Sequence, residues 1–240
     1  MLSPETAIEF QKYQAKVDAD IAAQVKGSKP FQWVEQHADA AQKAKAGEVA
    51  TFAFTGGNGL SVPGGLIHDW VGVIYLNGMK LDEVRLFLLD TDRQARSYSE
   101  VKSAKTLSQN GNGSVTKLRI LKKKVLTAVL DIEYENHWES PAPNKWIFAA
   151  RSRKVVELDD AGTPQESAFP PDTGHGFLWR MNSNWLLQQD AGGVWAELRV
   201  VSLSRDTPRG LGWMIKPMIR DLPAEGIAST LRQTRDALKR

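Results

Sequence analysis

The sequence contains no cysteine. This absence excludes disulfide bonds, thiolate catalysis and zinc sites with cysteine ligands. An excess of one charge is also lacking, because 31 Lys and Arg against 28 Asp and Glu leave a formal net charge of +3. Such a balance predicts no nucleic-acid partner. No apolar run approaches the ~20 residues that a membrane span needs, so we expect no transmembrane segment.

The start of the sequence also lacks the pattern of a signal peptide. Ser3 is placed to cap a helix whose first turn contains Pro4, so the chain enters a helix directly. The lack of cysteine fits the cytoplasm and an oxidising compartment equally well. We therefore expect a soluble protein, either cytoplasmic or exported by means of a leader that this sequence does not contain.

The glycine-rich loop between Gly56 and Gly65 lacks the spacing of a phosphate-binding loop. No third glycine follows Gly57 and Gly59 at the dinucleotide-binding interval, and the sequence contains no Gly-Lys-Ser/Thr. Pro63 stands where a nucleophile elbow needs its second glycine. The loop is therefore predicted to be a plain turn, and no cofactor is predicted.

What the sequence does contain is a long β-hairpin near its C-terminus. Placing the turn at Ala191 and Gly192 predicts a register in which one face is largely apolar and the other polar. The first face pairs Met181, Ser183, Trp185 and Leu187 with Ser202, Val200, Leu198 and Ala196. The second face carries Arg180, Asn182, Asn184, Gln188, Glu197 and Arg199. We expect the polar face to meet water, as in an antiparallel sheet covered on one side.

Helices are predicted at both ends of the chain. Residues 1–45 have helical patterns that are mostly polar, which favours a docked appendage over a second domain. After residue 222, four residues recur at helical spacing on one face, namely Ile227, Leu231, Thr234 and Leu238. Between the two ends, alternating strands and a short helix at 81–89 predict an α+β fold.

The middle of the chain resembles a known superfamily. A strand is followed by Leu81-Asp82-Glu83-Val84, by Leu88-Leu89-Asp90-Thr91-Asp92-Arg93, by Tyr98 and by Val101-Lys102-Ser103. This order resembles the START-like or polyketide cyclase superfamily (SRPBCC), and the resemblance covers about residues 64 to 240. Shorter runs are similar to a bacterial START-like subgroup, which offers no catalytic residues to carry over; they are Gly65-Leu66-Ile67-His68, Leu121-Lys122-Lys123-Lys124-Val125, Leu178-Trp179-Arg180-Met181-Asn182-Ser183 and Gly210-Leu211-Gly212-Trp213.

The resemblance implies a helix-grip fold. We expect a curved six- to seven-stranded antiparallel sheet wrapped on the long C-terminal helix, with a helical extension at 1–45 and a START-like domain at 46–240. A hydrophobic cavity between sheet and helix would bind a lipid, a sterol, a polyketide or a similar molecule. The residues expected to line it are Trp70, Tyr98, Trp179, Met181, Trp185, Leu198, Met214, Met218 and Leu231. His68, Arg180 and Asn182 are possible polar anchors, the last two only if the hairpin register slips by one residue.

Several alternatives remain open. A cyclase or aromatase-like enzyme would use His68, Tyr98 or Arg180 in the same cavity, although a binding protein without catalytic residues is the preferred interpretation. The spacing of Glu133, Glu135 and His137 suits a metal, but all three are predicted to face solvent, so no metal site is predicted. The loop between residues 159 and 175 is a candidate cover for the cavity.

One basic run suggests contact with a membrane surface. Lys122, Lys123 and Lys124 could attract anionic headgroups transiently, at about 1 kcal/mol for each charge. A solvated outer face is the other interpretation of the same cluster. The sequence leaves the oligomeric state open.

Overall fold

The computed structural model describes residues 1–123, 127–206 and 222–239. Its helices are α1 (Pro4–Val25), a short 3-10 helix (Trp33–Gln36), α2 (Ala38–Lys45), α3 (Leu81–Leu89), α4 (Thr91–Ser97) and α5 (Leu222–Leu238). Its strands are β1 (Ala50–Ala53), β2 (Leu60–Val62), β3 (Gly65–Asn77), β4 (Val101–Asn110), β5 (Gly113–Lys123), β6 (Thr127–Ala142), β7 (Lys145–Asp159), β8 (Ser167–Ala168), β9 (Arg180–Gln189) and β10 (Gly193–Arg205).

The strands form one antiparallel sheet. Eight of them follow the order β1-β3-β10-β9-β7-β6-β5-β4, while β2 pairs with β3 and β8 pairs with β7. The α+β class and the C-terminal helix were predicted, and both are confirmed. The six or seven predicted strands correspond to the seven long ones. The sheet has more strands because β1, β2 and β8, of two to four residues each, extend it locally.

The predicted register of the β9–β10 hairpin is confirmed. Trp185 pairs with Leu198, and Leu187 pairs with Ala196. Because side chains alternate along a strand, this register assigns every residue of the hairpin to one of two faces. We call the face that carries Trp185 and Leu198 the inner face, and the opposite face the outer face.

Part of the inner face, on β1, β3 and β10, is covered by α5. Ile227 and Leu231 are buried on this face, in one apolar cluster with Trp70 and Ile74 of β3. Gly72 lies between these two β3 residues and carries no side chain. A Cβ atom there would lie 2.3 Å from Cγ2 of Ile227 and 2.9 Å from Cδ1 of Leu231, so the helix packs directly against the strand.

The outer face is covered by α1, and here the predicted contact with water is wrong. Val17 and Ile21 of α1 are buried against apolar side chains of β9 and β10. Beside them lies a buried ion pair in which Arg199 donates from Nε and Nη2 to both oxygens of Asp69, at 2.9 and 2.6 Å. The hydroxyl group of Tyr13 in α1 donates to the same carboxylate at 2.9 Å. The helix thus supplies a polar partner to buried charges of the sheet.

Other polar side chains of the outer face are buried in the same way. Asn182 donates from Nδ2 to Gln14 of α1 at 3.0 Å. Glu197 is 1% exposed and accepts a hydrogen bond from the backbone N–H of Trp33 at 2.7 Å. Burial raises the pKa of Glu197 to about 8, although the N–H of Trp33 and the charge of Arg199 oppose this shift. The predicted alternation of faces is therefore correct, but the polar face packs against α1 and the 3-10 helix instead of meeting solvent.

Within the described ranges, no helix is both long enough and apolar enough to cross a membrane.

Replacing Gly72 by Ala should destabilise the protein by about 1–3 kcal/mol, because the new methyl group meets Ile227 at an impossible distance. Gly226→Ala is the matched control, since a Cβ atom at that helical position meets nothing within 4 Å. It should be neutral or stabilise by up to about 1 kcal/mol. Urea denaturation measures both. If Gly72→Ala is as stable as the wild type, α5 does not pack on β3 as described.

Glu197→Gln should stabilise the protein at pH 9 but have little effect near pH 4.5. The pKa of this carboxyl is raised from 4.5 to about 8 on folding. The protonated carboxyl therefore contributes fully to folding stability below about pH 4.5, and this contribution is lost as the pH rises through 8. Gln keeps an acceptor for Trp33 and never ionises. The gain at pH 9 should be roughly 1 kcal/mol or more, because each pKa unit corresponds to about 1.4 kcal/mol.

Thermal unfolding from pH 5 to pH 9 tests this, with Glu135→Gln as the control at an exposed position of β6. Parallel pH profiles for Glu197→Gln and the wild type would contradict a buried carboxyl that ionises with a raised pKa.

Candidate functional site

The inner face carries an apolar surface that several strands share. Across β3, β10, β9, β7 and β6, the row Gly72, Leu198, Trp185, Phe148 and Trp138 runs from strand to strand in register. Trp138 and Phe148 stack with ring centroids 6.3 Å apart. Helices α3 and α5 contribute Phe87 and Leu231 to the same cluster. These elements enclose an apolar cluster between sheet and helices that is rich in aromatic rings.

Four of the predicted lining residues lie together on this face. Trp70, Trp185, Leu198 and Leu231 belong to one buried cluster. The indole Nε1 of Trp70 is buried and has no hydrogen-bond partner. Met214 and Met218 lie outside the described residues.

Tyr98 lies at the edge of the same cluster. Its ring meets Phe87 edge to face, with centroids 5.7 Å apart. Its hydroxyl group lies 2.8 Å from Oγ1 of Thr234 in α5. The hydroxyl hydrogen of Thr234 goes to the carbonyl of Thr230 at 2.9 Å, so Tyr98 is the donor in this pair. Burial raises the pKa of Tyr98 well above its ordinary value, which keeps the phenol neutral.

Two predicted lining residues belong to other clusters. Met181 lies on the inner face but packs on a second cluster, formed on β5, β6 and β7 by residues that include Ile132 and Tyr134. Trp179 belongs instead to the buried cluster of the outer face. It precedes β9, which begins at Arg180, so the alternation of the strand does not determine its direction.

The possible polar anchors do not gather on the inner face. Since the register has not slipped, Arg180 and Asn182 take the outer side, where Arg180 is paired with Asp172 and Asn182 contacts α1. His68 shares a face with Trp70 but packs against Gly59, where a Cβ atom would lie 2.8 Å from its Cε1. Its Nδ1 is buried without a hydrogen-bond partner, and burial lowers its pKa.

A polar group on the inner face was missed by the sequence analysis. Asn136 is buried and donates from Nδ2 to the hydroxyl groups of Ser114 and Thr116, at 3.1 and 3.0 Å. It is paired with Ala150, which is paired in turn with Ser183. The interruption of the apolar alternation between Tyr134 and Trp138 could have identified it.

The loop predicted as a cover is fixed at several points. The backbone N–H of Leu2 donates to the carbonyl of Asp172 at 2.7 Å. Near its end, His175 contacts the buried carboxylate of Glu157 through both its backbone N–H and Nδ1, at 2.9 and 2.6 Å. These contacts hold the loop on the sheet. A movable cover at this position is still only a prediction.

The basic cluster is largely balanced by acidic partners. Arg119 and Lys117 both contact Asp131, at 2.8 and 3.0 Å, and Lys122 is paired with Glu100. The side chain of Lys123 and the whole of Lys124 are outside the described residues. Contact with a membrane surface through this run therefore stays a prediction.

The three residues considered as metal ligands lie on the outer face of β6. Glu135 and His137 are exposed there, and Glu133 is paired with Arg153 at 3.3 Å. The described residues contain no group of three His, Cys, Asp or Glu side chains that could hold a metal ion.

Similar structures show the fold of the chain. Zhui aromatase/cyclase from Streptomyces sp. R1128 matches with a TM-score of 0.52 and 13% identity over 72% of this chain and 94% of that one. Human STARD10 matches with a TM-score of 0.50 and 11% identity, covering 85% of this chain and 80% of its own. A STAR-related lipid transfer protein from Xanthomonas axonopodis matches with a TM-score of 0.49 and 18% identity, covering 75% and 97%.

The predicted START-like fold is therefore confirmed. At these identities the likeness concerns the fold alone and transfers no residue roles. The sequence matches no protein-family model and no curated protein.

The direction of the Tyr98–Thr234 hydrogen bond predicts that substitutions at its two ends lower the stability by different amounts. Thr234→Val leaves the buried Tyr98 hydroxyl group without an acceptor and should cost about 1–3 kcal/mol. Tyr98→Phe removes the donor but leaves the bond from Thr234 to Thr230 intact, so it should cost about 1 kcal/mol. Urea denaturation of both variants and of the double variant measures the difference. Equal costs for the two single variants would contradict the assigned direction of donation.

Proposed function

We propose that the protein binds a hydrophobic small molecule, such as a lipid, a sterol or a polyketide, on the inner face of its sheet. The observation that carries this proposal is the extent of the apolar surface. Helix α5 packs mainly on β1, β3 and β10, whereas the apolar surface continues across β9, β7, β6 and β5 through Met181, Tyr134 and Ile132. The apolar face therefore extends beyond its contacts with α5, and sites for apolar ligands are lined mainly by hydrophobic and aromatic side chains.

The inner face also offers groups that could orient a ligand. The indole N–H of Trp70 is buried without a hydrogen-bond partner, and the polar side chains of Asn136 and Ser183 flank Ala150 in one row. Ligand affinity would come chiefly from apolar burial at ~25 cal/mol for each Å². The few polar groups would fix the orientation of a ligand that carries oxygen atoms.

An enzyme acting on a polyketide-type substrate is the second candidate. The unpartnered Nδ1 of His68 favours it, because a general base needs a nitrogen that no structural contact occupies. The other two candidate groups are engaged, since Tyr98 is bonded to Thr234 and Arg180 to Asp172. The fold similarity to an aromatase/cyclase agrees with either candidate. We prefer the binding protein because His68 packs against the turn at Gly59.

Native mass spectrometry of protein purified without detergent tests the proposal. We expect part of the protein to carry apolar mass that solvent extraction removes. The emptied protein should bind 1-anilinonaphthalene-8-sulfonate saturably, with quenching of the tryptophans on the inner face. Ala150→Leu should lower both the co-purified mass and the probe affinity, because it adds bulk to the inner face beside Phe148.

Ala149→Leu is the matched control, since the same change on the next residue of β7 points to the outer face. It should leave co-purified mass and probe affinity unchanged. Protein that carries no apolar mass and binds the probe without saturation would overturn the proposal. If Ala150→Leu and Ala149→Leu lost co-purified mass and probe affinity equally, the placement of the ligand on the inner face would also be overturned.

A further inference from the structure

A glutamate and a histidine form a hydrogen-bonded pair at one end of the inner face. Glu157 of β7 is paired with Leu130 of β6, so its side chain lies on the same face as Leu130 and Val155. The side chain of Glu157 is 7% exposed, whereas that of its partner His175 is 62% exposed. The pair therefore connects the buried apolar cluster of β5, β6 and β7 with the surface.

The backbone next to His175 wraps around the carboxylate. Oε2 of Glu157 accepts hydrogen bonds from the backbone N–H groups of His175 and Gly176, at 2.9 and 3.3 Å. Gly174 and Gly176 have φ angles of +81° and +76°, and a Cβ atom at Gly174 would lie 2.8 Å from the same oxygen. Two backbone N–H groups thus fasten the loop to Glu157, so the loop does not depend on the imidazole as its anchor.

The hydrogen bonds of Glu157 determine which nitrogen of His175 is free. Nδ1 of His175 lies 2.6 Å from Oε1 of Glu157. Because a carboxylate only accepts, Nδ1 carries the hydrogen, and Nε2 of the neutral imidazole is an acceptor. No described residue donates a hydrogen bond to Nε2. A buried carboxylate that orients an accessible imidazole in this way presents a fixed acceptor to a ligand.

The surroundings of the imidazole are apolar. The ring of Phe177 stacks on it with centroids 5.4 Å apart, and the ring of Phe169 meets it edge to face at 5.6 Å. Phe177 is 38% exposed. Leu178, the next residue, packs on the cluster of β5, β6 and β7. A single acceptor beside a continuous apolar surface suits a ligand with an apolar body and one polar group.

We propose that His175 is the polar anchor of the ligand site on the inner face, and that the site selects apolar molecules with a free hydroxyl group, such as a sterol or a phenol. The hydroxyl group donates to Nε2, and the apolar body extends over the cluster of β5, β6 and β7. Glu157 is a positioning residue, because it fixes the ring and its tautomer without touching the ligand. This inference rests on the proposed function and adds the chemical class of the ligand.

Two probes of nearly the same shape test the inference, namely 2-naphthol and its methyl ether, since only the first has a hydroxyl donor. Both should displace anilinonaphthalene sulfonate from the emptied protein. The affinity of 2-naphthol should be about tenfold higher, as expected for one hydrogen bond. In NMR spectra of the imidazole nitrogens, only 2-naphthol should shift the Nε2 resonance of His175. Equal affinities would overturn the inference and leave the proposed function intact.

A variant of the histidine tests the anchor itself. His175→Phe keeps a ring on Phe177 and both backbone N–H groups but removes Nε2. Its affinity for 2-naphthol should fall by about tenfold, whereas its affinity for the methyl ether should stay that of the wild type. His137→Phe, at an exposed position on the outer face of β6, is the matched control and should bind both probes as the wild type does. A preference for 2-naphthol that survives in His175→Phe would overturn the inference.

Glu157→Gln tests the positioning role. The amide oxygen is needed by the N–H groups of His175 and Gly176, so the amide NH₂ group faces Nδ1, which must then accept. Nε2 carries the hydrogen instead, and the preference for 2-naphthol should disappear because the ether oxygen accepts from it equally. The imidazole nitrogen spectrum reports the change of tautomer. An unchanged tautomer and an unchanged preference would overturn the role of Glu157.

Ala150→Leu links the anchor to the inner face. It should weaken the binding of both probes by the same factor, because it adds bulk to that face and leaves His175 intact. Binding that depends on His175 but is unaffected by Ala150→Leu would place the anchor away from the inner face and overturn the inference. If neither probe displaces anilinonaphthalene sulfonate with saturation, the inference and the proposed function fail together.

Discussion

The buried ion pair between Asp69 and Arg199 imposes the main constraint on this fold. These two charges lie on neighbouring strands in the middle of the outer face, where burial is costly unless every charge has a partner. Tyr13 completes the coordination of the carboxylate from α1. A sheet that carries such a pair cannot remain bare without exposing the apolar side chains beside it. The N-terminal helix is therefore part of the packed structure, although its sequence is too polar to form a core of its own.

The sequence predicted the strands and the hairpin register correctly because alternation is a local property. The pairing of Trp185 with Leu198 follows from the position of a turn. The register does not reveal which element of the structure packs on each face. Asn182 and Glu197 were predicted to face solvent because they are polar. Only the contact of Asn182 with α1 and that of Glu197 with the 3-10 helix show that this polar layer is buried. The raised pKa of Glu197 depends on that burial, so no sequence pattern could have indicated it.

The residues of the candidate site could be predicted from the sequence to a similar extent. Trp70 and Leu231 are distant in sequence but were both expected to line one cavity, because the resemblance implies that the C-terminal helix lies across the sheet; the two residues do share one buried cluster. Trp179 was expected in the same group but belongs to the cluster of the outer face; it precedes β9, so the alternation of that strand does not fix its direction. Asn136 was missed because one polar residue in an apolar row is easily read as an interruption. Its partners on β5 become visible only when the strands are paired.

Alternation also explains how one sheet can present two different surfaces. Ala149 and Ala150 are neighbours in β7, yet one lies on the side of α1 and the other packs on the inner face. Asn184 and Trp185 are divided in the same way on β9. The two surfaces nevertheless depend on different elements, because the inner face is formed by strands and α5, whereas the outer face is covered by α1. Since docking of α1 also completes the coordination of Asp69, undocking would expose a buried charge together with the apolar side chains beside it. The ion pair and the docked helix therefore stabilise each other.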